Sequence, residues 1–213
     1  MMKRTFKQCS LIWLEKHLGV REVRNTPLLL SWIDQEVEIS DTEKQELATL
    51  QEELTENLRG WNELELAYEF IAPLLKMVKF SGENRRFFAE RTLEGKIGDV
   101  ELGGKPDGMI ASGRLEPEQP YFCLHEYKRE DDSEGDPAGQ VLAAMLVAQE
   151  INQHEQPVYG CYIKGNIWYF MILQGLEYSI SNSYSATRED IVDIFRILKV
   201  LKIIITRMAE NTA

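Results

Sequence analysis

Cysteine is scarce in this chain: Cys9, Cys123 and Cys161 are the three in 213 residues, widely separated and odd in number. That pattern excludes a disulfide framework and offers no zinc-ligand spacing, so reduced thiols and a cytoplasmic location are expected. Long apolar runs are also missing. The early run LIWL meets Glu15 and Lys16 at once, and Val200 to Ile205 is broken by Lys202. Neither a signal peptide nor a membrane span is expected from either stretch. The chain contains no Gly-x-Ser-x-Gly, no P-loop and no Gly-x-Gly-x-x-Gly, which removes the common hydrolase, nucleotidase and dinucleotide readings. Its three histidines, His17, His125 and His154, are isolated from one another and read as core or surface residues rather than catalytic ones.

What is present suits a soluble globular protein with one sizeable core, at 44% hydrophobic and 28% charged residues. The net charge of −11 is unevenly spread. Residues 36–69 hold eleven acids against two bases, Lys44 and Arg59, whereas 76–105 hold seven bases against five acids. A polyanion would approach the second region. So acidic a chain does not coat nucleic acid nonspecifically, because phosphate affinity comes from lysine and arginine displacing counterions. Any nucleic-acid contact must be local or supplied by a partner, and the acidic N-terminal helices offer a surface to a protein partner.

Periodicity and punctuation give the elements. Residues 5–18 form an amphipathic helix candidate, and PLLLSWI after Pro27 reads as packing surface. Ser40 with Glu43 has capping-box spacing, predicting a Glu-rich helix from Asp41 to about Arg59. In WNELELAYEFIAPLLKMVKF, Leu64, Tyr68, Ile71, Leu75 and Val78 recur at helical spacing, with Pro73 kinking or splitting the helix. Glycine pairs and short alternating runs between 87 and 113 suggest a hairpin or meander ending in a strand at 106–112. Asp136 is placed to cap a helix that starts at Pro137, with Val141, Leu142, Met145 and Ala148 as its apolar stripe. Two aromatic-rich strands joined at Gly165-Asn166 follow. A last helix runs from near Thr187 to about Met208, with Ile191, Ile194, Phe195, Leu198 and Leu201 inward and a basic row of Arg196, Lys199 and Lys202.

The stretch YFCLHEYKRE, 121–130, is a strand whose Phe122, Leu124, Glu126 and Lys128 share one side of a period-two ladder. An aliphatic face that ends in two opposite charges calls for a chemical reason. Pro106-Asp107 is the one Pro-Asp dipeptide in the chain, and it stands on the strand before. Pro-Asp, then Glu-x-Lys on the next strand, then a helix, resembles the PD-(D/E)XK phosphodiesterase superfamily over roughly residues 61–173. A second acid-x-Lys triplet, Glu94-Gly95-Lys96, has no preceding Pro-Asp.

The resemblance implies an α/β (α+β) fold, a restriction-endonuclease-like mixed sheet flanked by helices, with a helical N-terminal extension at 1–60, a nuclease-like domain at 61–213 and a long C-terminal helix. It implies Mg²⁺ or Mn²⁺ held by Asp107 and Glu126 with the carbonyl of Tyr127, and Lys128 as the catalytic lysine. A glutamate of the first core helix joins them in many members; Glu63 matches best, with Glu65 or Glu69 as alternatives. Gln140 resembles a substrate-facing glutamine of some branches, although Ala144 replaces the tyrosine those branches carry one turn later. The chemistry agrees. Two carboxylates about 5 Å apart repel by roughly 3 kcal/mol at an effective dielectric near 20, and a hard divalent ion relieves this while taking phosphate oxygens as further ligands. The expected function is hydrolysis of nucleic acid, DNA first, in defence, repair or mobile-element biology. The competing reading is a catalytically silent module of the same fold that binds a protein.

Overall fold

Ser10, Thr26, Ser40, Asn62 and Asp136 each precede an apolar-periodic segment, and each side chain accepts a hydrogen bond from the backbone N–H three residues on. These caps satisfy donors that a helix start leaves without partners. They open α1 (Leu11–Leu18), α2 (Pro27–Ile33), α3 (Asp41–Asn57), α4 (Glu63–Leu66) and, further on, α6 (Pro137–Ile151). A π turn, Ala67–Ile71, joins α4 to α5 (Ala72–Val78), and α7 (Asp190–Asn211) closes the chain. The strands are β1 (Met2–Thr5), β2 (Arg21–Glu22), β3 (Arg86–Ala89), β4 (Leu93–Ile97), β5 (Val100–Gly104), β6 (Gly108–Ala111), β7 (Pro120–Lys128), β8 (Val158–Lys164), β9 (Ile167–Gln174), β10 (Glu177–Ile180) and β11 (Tyr184–Ser185). The structure, a computed structural model, describes residues 2–128, 135–153 and 156–211, with the side chains of residues 124–128 and 211 outside that description.

The large sheet has eight strands in the order β2-β10-β9-β8-β7-β6-β3, with β11 added against β9. It is mixed: β7 and β8 run parallel with α6 as their crossover, while β6–β7, β8–β9 and β9–β10 are antiparallel. A separate three-stranded sheet, β1-β5-β4, stands apart from it. The expected meander is therefore divided, because β4 and β5 leave the large sheet and take β1 as a parallel neighbour through Met2↔Val100. The helix expected over 5–18 correspondingly starts only at Leu11, since residues 2–5 are a strand.

From Pro137 to Gln149 the sequence carries no charge, and a helix apolar all round has to be enclosed. α6 packs against both β4–β5 and β7–β8, and every residue from Ala138 to Gln149 is buried, not the expected stripe alone. Gly160 of β8 permits this approach, because a Cβ there would lie 2.4 Å from the sulfur of Met145. Asp136 ties the layer together: Oδ1 accepts from the Gly139 N–H at 3.0 Å and Oδ2 from the Leu11 N–H at 2.8 Å, so one carboxylate serves the starts of two helices.

The opposite face of the large sheet carries the second core. Leu29, Trp32, Leu47 and Leu54 sit there with Phe70, Leu74, Phe122, Phe170, Phe195 and Leu198. The first sixty residues, expected as a helical extension, hold α1–α3 together with β1 and β2, and their apolar side chains lie inside both cores. The basic row of α7 docks this segment. Arg196 donates to the carbonyls of Ile33 at 2.8 Å and Gln35 at 2.7 Å, and Lys199 donates to the Glu38 carbonyl at 2.7 Å and to Glu43 at 2.8 Å.

The Glu43 contact has a pH signature. Burial pushes its carboxyl upward, but hydrogen bonds from Lys199 and Ser40 and the Lys199 charge outweigh this and hold it below the usual 4.5. A carboxyl depressed in the folded state contributes stability that is full above its unfolded value and is lost as pH falls through the folded one. Wild type should therefore lose thermal stability more steeply than Glu43→Gln as pH falls below 4.5. Parallel melting curves for the two proteins would disprove the linkage.

Candidate active site

α4, the π turn and α5 lie over the β3–β6 edge of the large sheet and enclose a cleft of about 1200 Å³. The turn determines which side chains face it. Pro73 has no N–H to donate, and in the turn before it the Ala72 N–H reaches the carbonyl of Ala67, five residues back. The extra residue rotates the downstream face, a device frequent at functional sites. Ile71, Leu75 and Val78 are buried as expected, together with Leu66, Phe70 and Leu74. Leu64 and Tyr68, also expected in the core, are 63% and 66% exposed and line the cleft instead.

Asp107 lines the same cleft from the bend before β6, and it is half-buried. Its carbonyl accepts from the Glu90 N–H at 3.3 Å, which ties the bend to the end of β3. Glu63, the first residue of α4, is exposed and lines the cleft as well. Glu65 is engaged elsewhere: its carboxylate accepts from the Asn62 N–H at 2.7 Å and completes a capping box. Glu69 is exposed and does not line the cleft. Asp107 and Glu63 thus line one cleft, whereas Glu65 and Glu69 are not among its lining residues.

β7 pairs with β6 as far as Gly108↔Leu124 and continues past it, its backbone carrying Tyr127 and Lys128 beside Ile163 and Lys164 of β8. Its ladder with β8 shifts register between His125 and Tyr127, so Glu126 is the extra residue of a bulge. The side chains of Glu126, Tyr127 and Lys128 lie outside the described residues, as do residues 129–134 and His154. The cleft wall rests on β7: the lining residue Phe80 stacks on the buried Phe122, ring centroids 6.4 Å apart, and α4 packs against the same strand.

Gln140, expected to face substrate, is 2% exposed within α6, in the layer across the sheet from the cleft, and is not among the cleft residues. The other acid-x-Lys triplet, Glu94-Gly95-Lys96, belongs to β4 of the small sheet, apart from Asp107. No family model matches the chain, and no curated protein matches it.

Two lysines, Lys76 and Lys79, face the three acids Glu63, Glu90 and Asp107 across the cleft. Lys79 and Glu90 have φ of 58° and 49°, the left-handed region that side chains rarely adopt. Strain of this kind collects where geometry is dictated by function, and both residues are in the cleft wall. Among the described residues, no three His, Cys, Asp or Glu side chains form a metal-binding group. Asp107 and Glu63 both line the cleft and carry carboxylate oxygens, the donor type that Mg²⁺ and Mn²⁺ take and soft metals do not. None of the described helices is long and apolar enough to cross a membrane.

Proposed function

We propose that this protein is a divalent-metal-dependent nuclease of the PD-(D/E)XK, restriction-endonuclease-like type, acting on nucleic acid and first of all DNA. One observation supports it most: Asp107 and Glu63, distant in sequence, line one cleft that abuts the strand bearing Glu126 and Lys128. The order of elements agrees with this reading, since the Pro-Asp bend feeds a strand paired with the Glu-x-Lys strand, which then enters a crossover helix.

In this reading Asp107, Glu126 and the Tyr127 carbonyl would hold Mg²⁺ or Mn²⁺, with Glu63 completing the site. The ion would supply charge to the scissile phosphate and acidity to a bound water. Lys128 would orient the attacking water, take its proton and offset the charge that develops on phosphate. Lys76 and Lys79 would receive the substrate's flanking phosphates. Isothermal calorimetry should show Mn²⁺ binding that Asp107→Ala weakens by about tenfold or more, the scale at which a carboxylate ligand matters to a hard ion. Equal affinity in both proteins would refute the metal site.

A further inference from the structure

We propose that the cleft takes single-stranded or locally unpaired nucleic acid, with a base stacked against Tyr68 and Phe87; the inference rests on the nuclease reading for its chemistry and goes beyond it in substrate form. Large apolar side chains scattered singly on a surface need no explanation, but a contiguous set does. Leu64, Tyr68 and Phe87 are 63%, 66% and 36% exposed and line this one cleft. Ala67, Ala72 and Ala89 line the same cleft. Two exposed rings in the cleft that Glu63 and Asp107 also line can hold a base in the same space as the reacting phosphate.

Charge argues against an intact duplex. Duplex binding draws on many phosphate contacts, whereas this cleft offers Lys76 and Lys79 against three acids, in a chain of net charge −11. The affinity that cations do not supply has to come from uncharged contact, and base stacking on aromatic rings supplies it for single strands of any sequence.

The test is fluorescence anisotropy in EDTA, where no hydrolysis occurs, with labelled single-stranded DNA, single-stranded RNA and a blunt duplex of one sequence. The wild type should bind at least one single strand about tenfold more tightly than the duplex, with a shallow salt dependence. Tyr68→Ala should weaken that binding about tenfold, and Tyr68→Phe should restore it, because the ring face remains. Both variants should melt with wild type, since the side chain is exposed. Duplex binding as tight as single-strand binding, or affinity indifferent to Tyr68→Ala, would overturn the inference. So would the absence of binding to any oligonucleotide, which would assign the apolar wall to a protein partner. The two readings fail separately. Stacking-dependent binding without cleavage in Mg²⁺ leaves the inference standing and removes the enzyme, whereas cleavage confined to duplex does the reverse.

Discussion

Lys128→Ala is expected to lose cleavage of nucleic acid in Mg²⁺ by about 10³-fold, the loss that follows removal of a group acting on both the proton and the developing charge. Its melting temperature should stay near that of wild type or rise. Metal binding should persist, because Asp107 and Glu126 remain. The competing explanation for Glu-x-Lys is a structural ion pair, and it makes the opposite forecast. Deleting one partner of a buried pair leaves an uncompensated charge and costs roughly 3–5 kcal/mol. Melts of wild type and Lys128→Ala with and without Mg²⁺, beside a cleavage assay on single- and double-stranded DNA and RNA, separate the two. A variant that melts far below a parent which cleaves nothing in Mg²⁺ or Mn²⁺ would defeat the enzyme reading and favour the binding module.

The parts of this fold that could be read from sequence are those set by local chemistry. Ser40 and Glu43 made a capping box where their spacing required one, and Asp136 capped the helix entering at Pro137. Gly165 takes φ of 60° in the turn between β8 and β9, as its place before Asn166 implied. The parts that could not be read depend on distant partners. Nothing near Met2 announces that it will pair with Val100, so β1 was not anticipated and the small sheet was missed. The same limit applied to the cleft. Asp107 stands out because Pro-Asp occurs once. Tyr68 shares the helical spacing of core residues, and its exposure depends on how α4, the π turn and α5 meet the sheet. The basic row of α7 was visible as a pattern, but its hydrogen-bond partners at Ile33, Gln35 and Glu43 were not.

Trp32 offers the clearest measure of how the first sixty residues relate to the rest. It sits on α2, is fully buried, and donates its indole N–H to the Ile197 carbonyl of α7 at 3.0 Å. Its ring meets Tyr159 edge-on at 4.9 Å and Phe170 at 5.4 Å, on neighbouring strands of the large sheet. Truncating such a side chain removes its burial and leaves a cavity, at about 3–5 kcal/mol for Trp→Ala. For a chain of this size that corresponds to a fall in melting temperature of roughly 8–15 °C. Trp32→Phe keeps most of the volume but loses the hydrogen bond, and should fall by about 1–2 kcal/mol. Ile12, also in the first sixty residues but 79% exposed, should change stability by less than about 0.5 kcal/mol as Ile12→Ala. The shape of the transition matters as much as its midpoint. If α2 belongs to the core it occupies, Trp32→Ala should shift one cooperative transition as a whole. A separate low-temperature transition confined to the N-terminal segment, with the main melt unmoved, would instead make residues 1–60 an appendage that folds on its own.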